Sequence, residues 1–331
     1  MSGRADVNIV TQLGVETTKG TSVAASKRFP DLDVELSPDD EVKFYRPAGS
    51  KANEVAVPHK RMAMGSYKGP LTYGSLPWIL SSLKYAAPVV IGATTGYTWT
   101  HDVSATAENA FKTYTIERGD ANDAGKSTFG CFNSWTFNIT REEATVSGEV
   151  YGRVMSFGNT LTATPTTIEN VPVALGDMSI YLDTTLAAIT GGTGAKLTDV
   201  FDINIVIPKF RELKWVIDAA NTSFLDTVEQ EVVPTFSISA EWTSQMRTIY
   251  AAMIADSAPT YYVNVKAVGD NIGTAADYTF SFIAALKISK ATELKTGNGK
   301  VYGYKLDFQI VNSPADSLWF KFVNVNKAST L

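Results

Sequence analysis

Only two residues in this chain titrate near neutrality by default, His59 and His101, so they are the first candidates for proton transfer or metal ligation. Neither has another His, a Cys or a suitably spaced carboxylate nearby in sequence to complete a ligand set. His101 precedes Asp102 directly, but after the strand-like "GYTWT" this adjacency reads as a turn and not as a catalytic pair. No Gly-x-Ser-x-Gly elbow and no Cys-His signature is present. Asp31, Asp33 and Glu35 alternate within "PDLDVELSPDDE" (30–41), which suggests a calcium loop. The central Gly and the distant Glu of an EF-hand are missing, so a solvated loop is expected there. The glycines of "ITGGTGAKL" (189–197) imitate a phosphate cradle, but no Lys-Ser or Lys-Thr follows them, and a flexible loop is expected. Glu142 and Glu143 fall in an expected turn, where solvation accounts for them. Cys131 is the single cysteine; it excludes an intramolecular disulfide and, beside Phe132, is expected to be a buried small hydrophobe. These residues give no catalytic set, no metal site and no cofactor site.

The composition points to the elements instead. The chain has 331 residues, 44% hydrophobic and 19% charged, enough for two domains with ordinary cores. Thr, Val, Ala and aromatics come in short runs broken by Gly, Asn, Asp and Pro, the vocabulary of β-structure. The net charge of -5 argues against a protein that grips nucleic acid, because phosphate neutralisation requires basic excess. The start, "MSGRADVNIV", has no apolar stretch behind a basic patch, and the most apolar run, 85–93, is too short for a bilayer. A soluble protein made in a cytoplasm is expected, and the sequons at Asn138 and Asn221 are then coincidental.

Two stretches nearly repeat. "SGEVYGRVM" (147–155) and "NGKVYGYKL" (298–306) align without a gap at an offset of 151, which also sets Trp135 against Leu286 and Phe137 against Ile288. The order of elements repeats as well. In the first half a strand at 55–69 precedes a helix at 75–86, with Leu76, Ile79, Leu80 and Leu83 on one face. Strands follow at 111–120, ending in Gly-Asp, at 132–140 and at 144–155. In the second half a strand at 232–242 precedes a helix at 244–256, carrying Met246, Ile249, Tyr250, Met253 and Ile254 on one face. Strands at 260–270, again ending in Gly-Asp, at 278–289 and at 300–311 complete the set. The pattern predicts an internal duplication, with domains 1–165 and 166–331 and a linker within 162–172. Adjacent Trp319 and Phe320 in "LWFKFVNVNK" (318–327) suit a strand buried on both sides better than a base-stacking platform.

"GVETTKGTSVAA", "LTYGSLPWILSSL", "GYTWTHD" followed by "KTYTIERGD", and "SGEVYGRVM" come in an order that resembles the tail tube proteins (major tail proteins) of long-tailed, non-contractile bacteriophages, over residues 14–183. The resemblance implies a mainly β, sandwich- or barrel-like tube domain with one flanking helix, here present as two tandem domains. It implies rings whose inner sheets join into one continuous barrel, and rings that stack through long loops and terminal arms. Most members form hexameric rings of one-domain chains, so a two-domain chain would form a trimer with pseudo-sixfold symmetry. The partners implied are other copies of the chain, a tape-measure protein, terminator and distal initiator proteins, and DNA that passes without sequence-specific binding. The location implied is the virion, after assembly in the host cytoplasm, with no membrane. The expected ring-stacking residues are Lys51, Asn53 and Glu54 in the loop 46–60, and Trp215, Phe224 and position 228 (Val228, beside Glu229) in its counterpart 210–231. The same resemblance leaves room for a single tube domain, with residues 170–331 as decoration and hexameric rings; a different class is a monomeric carbohydrate-binding or adhesin-like β-sandwich, and an enzyme would need His59 or His101 in a cleft with a carboxylate.

Overall fold

The computed structural model describes residues 9–91, 95–120, 122–217, 222–255, 259–273, 276–294 and 302–331. The chain is mainly β. The first half contributes β1 (Val10–Val15), β2 (Lys27–Phe29), β3 (Asp33–Tyr45), β4 (Val55–Pro70), β5 (Val89–Val90), β6 (Tyr97–Val103), β7 (Tyr114–Gly119), β8 (Ala124–Phe132), β9 (Trp135–Thr140), β10 (Ala144–Gly152), β11 (Ser156–Asn159) and β12 (Thr166–Thr167). The second contributes β13 (Met178–Asp183), β14 (Val200–Ile207), β15 (Arg211–Lys214), β16 (Asp226–Glu229), β17 (Thr235–Glu241), β18 (Tyr261–Gly273), β19 (Ala276–Leu294), β20 (Gly303–Ile310) and β21 (Phe320–Asn326). The helices are α1 (Leu76–Ser81), α2 (Leu186–Thr190) and α3 (Ser244–Met253).

Eight strands form one antiparallel layer in the order β3-β4-β10-β9-β14-β17-β20-β19. Alternating side chains give this layer two unlike faces. One transverse row reads Gly69, Val146, Phe137, Ile205, Phe236, Phe308 and Ile288, an apolar face turned to the core. The adjacent row reads Asp33, Lys68, Ser147, Thr136, Val206, Thr235, Gln309 and Lys287, a face that is polar except at Val206.

Two smaller sheet regions cover the apolar face. Over the first half lies β12-β2-β1-β7-β8-β11. Over the second lies β13-β18-β19-β21-β6-β5, in which the first part of β19 takes part while its last part stays in the eight-stranded layer. Aromatic contacts join the layers: Phe137 meets Phe322 at 5.1 Å between ring centroids, and Phe236 meets Phe282 at 6.5 Å. The helix α1 is buried on every side. Tyr114 of β7 donates to the Trp78 carbonyl (2.6 Å) and Trp135 of β9 to the Ile79 carbonyl (3.2 Å), so the helix is tied to both layers. It ends at Ser81, short of the expected 86, and Ser75 makes no side-chain cap; its hydroxyl bonds Thr72 instead. In α3, Thr243 caps the Met246 amide, and Met246, Ile249 and Met253 are buried while Ile254 is exposed, against expectation.

The pairings of the two halves match in chain order. β1–β7, β3–β4, β4–β10, β7–β8, β9–β10 and β8–β11 have counterparts in β13–β18, β14–β17, β17–β20, β18–β19, β19–β20 and β19–β21. A buried helix residue follows β4 and β17 at the same place in both. The register differs from the gapless alignment. Phe137 faces Val146 as Ile288 faces Phe308, so the offset is 151 at β9 but 162 at β10. Tyr151 therefore lies inside β10, one residue from its end and 2% exposed, whereas Tyr302 precedes β20, 51% exposed. The two Val-Tyr-Gly triplets are not structural equivalents; the hairpin before β20 is longer than the turn before β10.

Two local expectations need correction. The acidic stretch 30–41 is not a solvated loop; most of it lies in β3, paired with β4 along its length. Buried Leu32, Val34 and Leu36 alternate with its acids, but from Ser37 onward both faces are exposed and the period is lost. Residues 210–231 are not an irregular loop either, because β15 and β16 form a hairpin within them.

Candidate assembly surface

The eight-stranded layer is two four-stranded blocks, β3-β4-β10-β9 and β14-β17-β20-β19, joined edge to edge. The joint is β9 against β14, with Trp135 opposite Ile207, Phe137 opposite Ile205 and Ile139 opposite Ile203. Inside the molecule, then, the last strand of one block already pairs with the first strand of the next. At the outer ends, β3 pairs with β4 alone and residues 287–294 of β19 pair with β20 alone, among the described residues. Unpaired edges of this kind are templates for another strand.

The polar face carries the carboxylates of Asp33, Glu35, Glu149, Asp202, Glu241 and Asp307 and the ammonium groups of Lys68, Lys287, Lys290 and Lys305. Ser, Thr, Asn and Gln fill the remaining positions for the most part. Local pairing offsets some of the charge, as where Lys305 sits 3.4 Å from Asp307. A face so balanced offers a polyanion no basic track.

The two hairpins that follow β3 and β14 differ. The β3–β4 hairpin runs out with Val42, Phe44, Tyr45, Val55 and Val57 exposed, Phe44 by 63%. Lys51, Asn53 and Glu54 lie exposed at its tip, where the Glu54 amide donates to the Tyr45 carbonyl. The β15–β16 hairpin folds back onto the first half. Phe224 is 1% exposed, packed edge-on to Phe129, Tyr151 and Trp215. This corrects the expectation that Phe224 is an exposed contact residue: the first half of its own chain supplies the contact. Arg153 donates to the Phe224 and Leu225 carbonyls (3.2 and 2.6 Å), and the Arg61 amide donates to the Thr222 carbonyl (3.0 Å). Arg211 is buried; its guanidinium donates to the Leu83 and Asn109 carbonyls and to Glu229, at 3.2, 2.9 and 3.0 Å. Trp215 is half-buried under Lys60, whose Nζ is 5.1 Å from the ring, while Val228 is exposed. The six expected residues thus split between a projecting tip and a docked hairpin.

The histidines also separate. His59 is exposed on β4. His101 is fully buried in β6, stacked on Trp99 with its Nδ1 2.6 Å from the Lys84 carbonyl, and burial lowers its pKa to about 4. Cys131 is buried, and desolvation raises its thiol pKa. Among the described residues no group of three or more His, Cys, Asp or Glu is placed to hold a metal, and no helix is long and apolar enough to cross a membrane. Sequence reasoning passed over the sheet edges themselves. The available signal was the period-two spacing of Asp31, Asp33 and Glu35, with Leu32, Val34 and Leu36 between them.

No protein-family profile matches this chain, and no curated protein sequence matches it.

Proposed function

We propose that this chain is a self-assembling structural protein of a phage tail tube, without catalysis, and that three copies close a ring of six equivalent blocks. One observation carries the reading: two equivalent four-stranded blocks are joined edge to edge within the chain, and the free edges at the ends are equivalent to the two strands of that joint. Repeating the same joint between chains adds blocks head to tail, an arrangement that grows until it closes. Three chains of eight inner strands give a circumference of ~115 Å at about 4.8 Å per strand, hence a barrel roughly 37 Å across before tilt widens it. The face without basic excess would line the lumen, past which DNA slides and against which a tape-measure protein is housed. The projecting β3–β4 hairpin, with its exposed apolar residues, would reach the next ring, and terminator and initiator proteins would cap the stack. The virion is then the final location, after assembly in the host cytoplasm.

Electron microscopy of the purified protein, with native mass spectrometry of any ring, tests this. Rings or tubes built from three chains support it. Six chains per ring overturn the tandem-block reading. A stable monomer that never assembles, even with tape-measure and initiator proteins supplied, overturns the function and favours a glycan-binding sandwich, for which the exposed Phe44 and Tyr45 rings would be the platform.

A further inference from the structure

The internal joint also fixes a register, if the proposed ring reading holds. Phe137 and Ile288 are equivalent, since each faces the β10 or β20 residue that in turn faces Gly69 or Phe236. Ile205 faces Phe236, and Leu32 lies beside Gly69, where a Cβ would meet its Cα at 3.3 Å. Leu32 is therefore the counterpart of Ile205. Because Phe137 pairs with Ile205 inside the chain, Ile288 of one copy should pair with Leu32 of the next.

We infer that residues 30–33 of one copy pair antiparallel with residues 287–291 of a second copy, in the register that sets Leu32 opposite Ile288, Asp33 opposite Lys287 and Asp31 opposite Lys290. Three features at the two edges agree with this. Leu32 is buried and Ile288 half-buried, so the apolar row runs on across the joint. The β3 edge is acidic at Asp33, Glu35, Asp39, Asp40 and Glu41, while the β19 edge brings Lys287 and Lys290. Like charges oppose β3 pairing with β3, and unlike charges favour the head-to-tail joint. Asp31 accepts from Thr72 through Oδ2, but its Oδ1 is buried with no hydrogen-bond partner, and an ammonium group from a neighbour would supply one. Asp33 has a long ion pair to Arg118, 3.6 Å, which leaves its side chain mostly exposed.

Paired cysteines read the register. Asp33→Cys with Lys287→Cys, assembled and then treated with a short bis-alkylating reagent, is expected to give covalent dimers and trimers under denaturing conditions. Ser37→Cys with Lys287→Cys, four residues further along the same face, is expected to give none. Assembly that cross-links only through position 37 overturns the register and leaves the ring reading standing; a chain that forms no assembly at all overturns both. Charge exchange gives an independent readout. Asp33→Lys should raise the concentration needed for assembly by roughly fivefold, the scale of one cross-strand charge pair, and adding Lys287→Asp should restore it. Equal assembly by wild type, single and double variants overturns the pairing.

Discussion

The hairpin after β3 and the hairpin after β14 occupy the same slot in two equivalent blocks, yet one points away from the molecule and the other is folded into it. The difference lies in what each carries. The β15–β16 segment brings Arg211 and Phe224; Arg211 pairs with Glu229 of its own hairpin and reaches the Leu83 and Asn109 carbonyls of the first half, and Phe224 enters an aromatic pocket there. The β3–β4 segment brings alternating charges and a few apolar residues that nothing in the chain covers among the described residues. The same slot holds the halves together in one block and projects from the molecule in the other. Side chains at a handful of positions, not the topology, decide which.

The contrast is broken most severely at Phe224. Phe224→Ala removes a ring from the Phe129–Tyr151–Trp215 cluster and should cost about 3–5 kcal/mol in chemical denaturation. Arg211→Met leaves Glu229 without its buried cation and two carbonyls without a donor, and a loss of roughly 3 kcal/mol is expected by the same measurement. His101 sharpens the contrast through pH. It stays neutral in the folded chain down to pH about 4 but takes up a proton near 6.5 once unfolded. Acid therefore favours the unfolded state between those values. The stability of the wild type relative to His101→Met should be flat above pH 7 and fall by on the order of 3 kcal/mol as pH drops from 6.5 to 4. Phe44→Ala, on the outward hairpin, should change stability by less than about 0.5 kcal/mol. Replacing residues 46–54 with a two-residue Asn-Gly turn should likewise leave the melting temperature unchanged, while single rings persist in micrographs and long tubes disappear.

Much of the eight-stranded layer was legible because its strands alternate. Trp135, Phe137 and Ile139 against Thr136, Asn138 and Thr140 announce one buried and one polar face, and the structure has both. The buried face of α3 was legible for the same reason at Met246, Ile249 and Met253. β3 was not legible because beyond Leu36 it is exposed on both faces, and a strand with no buried side has no hydrophobic period. The shared order of elements survived, but the triplet that first suggested it did not, since a longer hairpin before β20 shifts the register. Pairing between distant segments left no local trace at all. Nothing near Tyr97–Val103 in the sequence says that this strand pairs with Phe320–Asn326.

That last pairing has a consequence for any attempt to divide the chain. Strand β6 belongs to the first half and pairs with β21 in the sheet that covers the second, so a half-length gene product starting near residue 172 would bare one flank of Phe320 and Phe322 to water. The two fragments should be insoluble when expressed apart and recover solubility when co-expressed, each acting as the other's missing piece.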